Sequence, residues 1–319
     1  MAHNVLVLGN GFDLDLGYRT KYSDFVNSSY WPFKEKNLSS IGVPNLQNYI
    51  YDFTDNNKDE LGKVRWIDIE QLLKNYAISK NNKDSFNTEI VKNDEACYQQ
   101  LVNSFADYLK NELLNCSLQT ILKPSRNLIE AISRSSKKWK GYSFNYTDSR
   151  AIIDFLLEST DAKFRDLPFT HLHGQIDIHG KDDTLILGID DSISIPTEYK
   201  FLRKSWNPNY ESHKLDEDLI QAEHIVCFGW SFGEIDRDYL KDFFHEICSI
   251  PEARIIRKGI HFITYDEQSR INILNNLEAI GIQMSRLKKY TDIDFYLTSQ
   301  MCVRREMDKF YALCEMLSK

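Results

Sequence analysis

The chain has 319 residues, of which 42% are hydrophobic and 13% aromatic, a composition typical of a globular protein. The formal net charge of −8 argues against nucleic acid as the main partner, because a phosphate backbone is bound by an excess of Lys and Arg. No apolar run approaches the roughly 18 residues of a membrane span, and the first residues lack the features of a signal peptide. We therefore expect a cytoplasmic protein with no membrane partner.

Short apolar runs alternate with helical patterns along the chain. The predicted strands are 4–8, 140–145, 168–173, 184–189, 224–229 and 260–265. Continuous apolar strands between helices indicate an α/β fold of Rossmann type, with a mostly parallel sheet and helices on both faces. The stretch between the first two strands carries helical patterns and little strand signal. We therefore predict a single domain over residues 1–319 with a helical insertion over residues 23–138.

Two glycines follow the first strand directly, in the segment Gly9-Asn10-Gly11-Phe12-Asp13. Gly9 allows a tight turn, and Gly11 lets the backbone approach a ligand because no Cβ stands in the way. The N–H groups at the start of the following helix would then point at an anion. No P-loop Lys follows, and the spacing differs from the G-x-G-x-x-G of dehydrogenases. The turn predicts a bound nucleotide, with an ordinary strand–helix turn as the alternative.

Polar residues close the next two predicted strands, namely Asn145 and His173. Ligands of open α/β sheets lie beyond the carboxyl ends of the strands, where both residues fall. The amide of Asn145 can hold ribose hydroxyls or a water molecule, and a His side chain accepts a proton near neutral pH. The alternatives are a helix cap or turn at Asn145 and a structural histidine at position 173.

Two other interpretations involve histidines. His171 and His173 share one face of a strand and are followed by Asp177 and His179, a pattern that raises the possibility of a metal site. No upstream segment supplies the remaining ligands, so we expect no metal.

The strand 224–229 ends in Gly229-Trp230-Ser231-Phe232-Gly233, which has the G-x-S-x-G form of an esterase nucleophile turn. A catalytic triad needs a later His. Only His245, inside a predicted helix, and His261, near the start of a strand, follow Ser231. We therefore interpret the segment as a small turn across which a nucleotide lies.

Together these segments resemble the AbiH family of bacterial phage-defence proteins. The matching pieces are LVLGNGFDLDLG at 6–17, WIDIE at 66–70, FNYT at 144–147, HLHG at 171–174, LILGID at 185–190 and FGWSFGEIDRDY at 228–239. That family in turn is similar to a distant branch of the sirtuin-like NAD-binding fold. The resemblance matches Asn145 and His173 to the sirtuin Asn and catalytic His, and Gly229 with Ser231 to the later ribose and phosphate turn.

The departures from sirtuins are informative. Thr147 stands where sirtuins have Asp, Phe144 replaces Gln, and the zinc-binding cysteines are absent. Deacylation is therefore not expected. The resemblance implies instead an enzyme that hydrolyses NAD to nicotinamide and ADP-ribose in phage defence, with Asn145 and His173 as catalytic residues. The residues expected to bind the nucleotide are Gly9, Asn10, Gly11, Phe12, Asp13, Thr147, Gly229, Ser231 and Asp236.

Two other functions stay open. The first is a sensor or interaction module that binds NAD or ADP-ribose without hydrolysis. The second is a hydrolase or nuclease that acts on another nucleotide through the charged cluster between His171 and Asp191. The expected partners are NAD or a related nucleotide, a phage-derived trigger, and a second copy of the chain or another defence protein.

Overall fold

Six strands form one sheet in the computed structural model, which describes residues 3–37, 45–81, 87–116, 123–158, 167–178, 183–211, 213–233, 238–249 and 257–319. The strands are β1 (His3–Leu8), β2 (Trp139–Ser143), β3 (Phe169–His171), β4 (Ala222–Phe228), β5 (Lys258–Thr264) and β6 (Thr291–Leu297). The helices are α1 (Asn10–Leu16), α2 (Tyr22–Val26), α3 (Leu46–Asn56), α4 (Ile69–Ile78), α5 (Thr88–Asn115), α6 (Pro124–Ser133), α7 (Ser149–Leu157), α8 (Leu215–Gln221), α9 (Asp238–Ile247), α10 (Glu267–Ala279), α11 (Met284–Tyr290) and α12 (Arg304–Leu317).

All six strands are parallel and lie in the order β3-β2-β1-β4-β5-β6. In the register of the sheet, Val7 of β1 lies between Tyr142 of β2 and Cys227 of β4. Every residue of β1 is buried, so helices and loops cover both faces of this central strand. The Rossmann-like α/β fold predicted from the sequence is confirmed.

Contacts between Cα atoms divide the chain into two units. The first unit contains Met1–Tyr18, Ser117–Leu172 and Ser212–Lys319, and the second contains Arg19–Cys116 and His173–Glu211. The whole sheet belongs to the first unit, together with α1 and α6 to α12. Helices α2 to α5 belong to the second unit, with two short 3-10 helices at Thr197–Leu202 and Lys204–Trp206.

The segment 184–189 is not a strand of the sheet, so this part of the sequence prediction is wrong. It runs extended in the second unit, where the N–H of Ile186 donates to His173 O at 2.8 Å and that of Ile189 to Leu202 O at 2.8 Å. Leu185 and Leu187 are buried. The apolar run therefore reflects burial in the core of the second unit rather than membership of the sheet.

The search for continuous apolar runs does not predict strand β6, because the pattern of this strand is different. Acidic residues alternate with apolar ones along TDIDFYL, and β6 lies at one edge of the sheet. An edge strand need not be apolar on both faces, so a search for continuous apolar runs overlooks it. Helix α10 begins after an N-cap residue, because the carboxylate of Asp266 accepts the N–H of Ser269 at 2.8 Å.

Within the described ranges, no helix combines the length and the apolar character that crossing a membrane requires.

Candidate functional site

The strand order places two glycine turns next to each other. From β1 the sheet extends to one side through β2 and β3, and from β4 it extends to the other side through β5 and β6. The order of strands therefore reverses between β1 and β4. In doubly wound folds this switch point opens a crevice at the carboxyl ends of the strands. The turn Gly9–Gly11 follows β1 and the turn Gly229–Ser231 follows β4, so both lie at this edge of the first unit.

The two turns contact each other through their backbones. The N–H of Gly11 donates to Gly229 O at 2.8 Å. A Cβ on Gly11 would lie 2.5 Å from Gly229 Cα, and a Cβ on Gly229, whose φ is +66°, would overlap the backbone of Gly11 and Phe12. Glycine is therefore required at both positions by the contact between the turns, whether or not a ligand is present.

The same contact limits what the glycine turn offers to a phosphate. The N–H of Gly9 donates to Phe228 O at 2.9 Å and that of Phe12 to Gly9 O at 2.9 Å, while the N–H of Gly11 is held by Gly229. These three amides therefore do not point at an anion, contrary to the expectation from the sequence. Nucleotide binding by Gly9, Asn10, Gly11 and Phe12 stays a prediction.

A buried polar cluster lies beside the turns, formed by Asp13, Asn145 and Thr147, which we call the Asp13 cluster. Asp13 lies on α1, and the other two residues follow β2. The amide Nδ2 of Asn145 donates to Asp13 Oδ1 at 2.9 Å, and the hydroxyl of Thr147 donates to Asp13 Oδ2 at 2.8 Å. All three side chains are buried. The structure thus brings together three residues that the sequence places in two separate segments, LVLGNGFDLDLG and FNYT.

Asp13 fixes the orientation of the Asn145 amide. The ionised carboxylate of Asp13 accepts hydrogen bonds and does not donate them, so in that form the NH₂ group of Asn145 must face Asp13. Its carbonyl oxygen Oδ1 is then turned away, and this buried atom has no hydrogen-bond partner among the described residues. Buried polar atoms are almost always paired in native proteins. The Oδ1 atom of Asn145 is therefore a candidate acceptor for a ligand group.

Burial strongly affects the ionisation of Asp13. Desolvation raises the pKa of this carboxyl to about 7, although the hydrogen bonds from Thr147 and Asn145 act in the opposite direction. Near neutral pH both the ionised and the protonated forms are accordingly populated. Each carboxyl oxygen accepts one hydrogen bond within the protein, and ribose binding by Asp13 stays a prediction.

His171 has a structural role in the first unit. Its Nε2 atom accepts the N–H of Ser149, the first residue of α7, at 3.2 Å. Burial lowers the pKa of His171 to about 4, an effect that the charge of Asp148 partly offsets, so the ring is neutral at physiological pH. The metal interpretation gains no support here. Among the described residues no group of three or more potential ligands could hold an ion, and His179 lies outside them.

His173 belongs to the second unit, where it contacts the buried ion pair between Lys204 and Glu70. The ammonium of Lys204 lies 3.1 Å from His173 Nε2 and 3.0 Å from Glu70 Oε1. The N–H of Gly188 donates to the same Glu70 oxygen at 3.2 Å. Burial raises the pKa of Glu70, and the charge of Lys204 opposes that increase. This network joins three of the segments that carry the family resemblance, because Glu70 lies in WIDIE, His173 in HLHG and Gly188 in LILGID.

In the part of the chain that the structure describes, Ser231 has no histidine partner of the kind a catalytic triad requires. The side chain is exposed at the turn after β4, and His261 pairs instead with His224, whose Nδ1 lies 3.2 Å from His261 Nε2. His245 lies on the exposed side of α9. Asp236, the remaining predicted ribose ligand, lies outside the described residues.

One comparison with known proteins identifies a family. The family model described as bacteriophage abortive infection AbiH matches residues 5–256, which is most of the 319-residue chain. No curated protein matches the sequence. The family match begins in β1, extends beyond β4, and includes every segment on which the resemblance was based. The chain therefore belongs to the AbiH family of bacteriophage abortive-infection proteins.

Proposed function

We propose that this protein is a phage-defence effector that hydrolyses NAD to nicotinamide and ADP-ribose, with the nucleotide bound at the switch point of the sheet. Three observations support the proposal. The chain belongs to an abortive-infection family, its strands follow the order of dinucleotide-binding folds, and a buried amide acceptor lies at the carboxyl edge of the sheet. The unpaired Oδ1 of Asn145 carries the argument.

The reaction exchanges one bond at the ribose. The bond between C1′ and the nicotinamide nitrogen breaks, and its electron pair neutralises the pyridinium ring, so nicotinamide leaves as a neutral molecule. A water molecule adds its oxygen to C1′ and releases one proton. The protein has to stabilise an oxocarbenium-like ribose and to orient the water.

Asn145 suits the orienting task. Its Oδ1 atom can accept a hydrogen bond from the attacking water or from a ribose hydroxyl, and the Asp13 cluster holds the amide in the required orientation. In this role Asp13 acts through Asn145 and does not contact the substrate. Because Oδ1 is buried, the groups that cover it have to move before a substrate can reach it.

The first experiment measures nicotinamide release from NAD by the purified protein, with and without phage components. We expect Asn145→Ala to lower the rate by about 10²–10⁴ while NAD affinity, measured by calorimetry, changes little, because most binding energy comes from the phosphates and adenine. Asn4→Ala is the matched control. Asn4 is also buried and accepts the N–H of His224 at 3.2 Å, but it lies at the opposite end of β1.

The control separates catalysis from folding. Asn4→Ala should lower the melting temperature and retain the nicotinamide release of the folded fraction. Equal activity in Asn145→Ala and the wild type would contradict the assignment of Asn145.

A sensor that binds NAD or ADP-ribose without turnover is the second candidate. The observation in its favour is the closure of the Asp13 cluster, in which all three side chains are buried and both oxygens of Asp13 are hydrogen-bonded. NAD binding without nicotinamide release under any trigger would favour the sensor over the hydrolase.

A further inference from the structure

Trp230 links the ends of two strands that are not neighbours in the sheet of the first unit. It lies in the turn after β4, and a Cβ on Gly9 would lie only 2.5 Å from Trp230 Cα. Because Gly9 has no side chain, the backbone of Trp230 can lie against the turn after β1. The indole ring stacks on Phe144, which follows β2, with ring centroids 5.1 Å apart. Trp230 therefore reaches from the end of β4 past β1 to the end of β2.

The indole N–H of Trp230 is a buried donor that lacks an acceptor. Trp230 is 2% exposed, and its Nε1 atom has no hydrogen-bond partner among the described residues. The rings that contact the indole, those of Phe144 and Phe232, offer no polar atom. A buried tryptophan N–H usually has a hydrogen-bond partner. The Nε1 atom is therefore a candidate donor to a ligand group.

This donor lies close to the unpaired acceptor of the proposed site. Phe144, on which Trp230 stacks, immediately precedes Asn145, whose buried Oδ1 atom lacks a donor. The carboxyl edge of the first unit thus carries one unpaired donor and one unpaired acceptor on adjoining residues.

Hydroxyl groups are the complement of such a pair. A hydroxyl has one donor and two acceptor lone pairs, so the hydroxyls of a ribose can accept from Nε1 and donate to Oδ1. A phosphate oxygen that only accepts hydrogen bonds would leave Asn145 Oδ1 unpaired. A carboxamide offers a donor and an acceptor too, but the proposed reaction places Asn145 beside the ribose carbon C1′, next to the ribose hydroxyls.

We infer that Trp230 Nε1 and Asn145 Oδ1 bind the hydroxyl groups of the ribose that carries the reacting carbon, with Trp230 as the donor and Asn145 as the acceptor. This assignment rests on the nucleotide binding of the proposed function, and it adds a substrate-binding residue and a specificity. The site should favour ADP-ribose, which has this second ribose, over ADP, which ends at the pyrophosphate.

Trp139 provides a matched control within the same chain. It is also buried, and its Nε1 atom also lacks a partner among the described residues. Trp139 is, however, the first residue of β2, so it lies at the opposite end of the strand from Phe144 and Asn145. A ligand at the carboxyl edge should affect Trp230 and leave Trp139 unchanged.

NMR of the indole N–H groups measures the hydrogen bond directly on the full-length protein. The chain has five tryptophans, so each indole resonance can be assigned from Trp→Phe variants, and that of Trp230 follows by elimination even if Trp230→Phe does not fold. We expect saturating ADP-ribose to move the Trp230 indole proton downfield, because this proton enters a hydrogen bond. ADP should not move it in this way, and the Trp139 resonance should stay in place with either ligand.

Calorimetry on Trp230→Phe tests the contribution of the donor. The variant keeps an aromatic ring beside Phe144 and loses only the N–H and part of the ring. Its affinity for ADP-ribose should fall about two- to tenfold, the value of one hydrogen bond, while its affinity for ADP matches the wild type. Trp139→Phe should bind both ligands as the wild type does.

An unmoved Trp230 resonance at saturating ADP-ribose would overturn the assignment, as would equal shifts with ADP-ribose and ADP. An equal loss of affinity for both ligands in Trp230→Phe would also contradict it, because Trp230 would then act through packing alone. If wild-type protein binds neither ligand, nucleotide binding and this assignment fail together. If the Trp230 resonance moves as expected but no nicotinamide is released from NAD under any trigger, the proposed hydrolysis fails while the ribose site stands.

Discussion

At the scale of single residues, the buried carboxyl of Asp13 couples folding to pH. Its pKa is about 7 in the folded protein and about 3.8 as a free side chain. Because the folded protein binds this proton more tightly than the unfolded chain does, protonation stabilises the folded state. This stabilisation is complete below the pKa of the unfolded chain, and it is lost as the pH rises through about 7. The free energy of unfolding should therefore decrease between about pH 4 and pH 7 through this residue alone.

Asp13→Asn removes that titration and keeps the size of the side chain. The amide can still accept from Asn145, and its NH₂ can donate to the Thr147 hydroxyl, which rotates to accept. Between about pH 4 and pH 8, wild-type unfolding free energy should fall by about 4 kcal/mol relative to the variant. Urea titrations over this range measure the difference. Parallel pH profiles for the two proteins would mean that Asp13 is ionised normally.

The residues of the site differ in how well their positions can be predicted from the sequence. Asp13 and Asn145 follow strands in recognisable motifs, so their proximity at one edge of the sheet could be predicted. Lys204 lies in the polar segment RKSW, which is typical of an exposed surface. Its burial depends on Glu70, which lies far away along the chain, and no local pattern indicates such a pairing. The carboxylate at the end of WIDIE was the one available signal.

At the scale of elements, the contact between the turns after β1 and β4 changes the meaning of the glycines. A substitution at Gly11 is expected to damage the fold before it affects any ligand, because the new Cβ meets the backbone of Gly229 and not a flexible side chain. The sequence alone suggests that a Gly11 variant would test nucleotide binding. Because the variant is expected to disturb the fold itself, it cannot serve as such a test.

Gly11→Ala should lower the free energy of unfolding by about 1–3 kcal/mol or more, the cost typical of overpacking. Gly233→Ala is the matched control. Among the described residues a Cβ there would meet only Ser231 Oγ, at 3.7 Å, and Gly233 is not among the glycines with positive φ. Chemical denaturation of both variants measures the difference. A fully stable Gly11→Ala protein would show that the two turns separate easily.

The errors in the predicted elements have a common cause. A run of apolar residues indicates that a segment is buried. A buried segment need not be a strand of the sheet, and a strand at the edge of the sheet need not be fully buried. The segment 184–189 is buried without joining the sheet, and β6 joins the sheet while partly exposed. A capping residue is a more local signal, since Asp266 accepts the N–H of Ser269 directly before α10.

At the scale of the whole molecule, the strand order carries information that the sequence patterns lack. Alternating strands and helices predict a parallel sheet, but they do not indicate which strands are neighbours. The observed order makes β1 and β4 neighbours although more than two hundred residues separate them, and it thereby defines the switch point. The proposed binding edge follows from this long-range pairing and from the Asp13 cluster beside it.

The last prediction concerns infected cells. If the proposed function is correct, we expect the protein to be harmless until a phage-derived trigger arrives and then to consume NAD. Cells that express the wild type should therefore grow normally, and on infection they should lose NAD and stop growing before new phage are released. Cells with Asn145→Ala should keep their NAD and lose protection, whereas cells with Asn4→Ala should behave as the wild type wherever the protein accumulates to the same level. Timed NAD assays and plaque counts from the same cultures measure both effects. Protection with constant NAD in wild-type cells would exclude NAD hydrolysis as the defence, and protection that survives Asn145→Ala would place the active residues elsewhere in the chain.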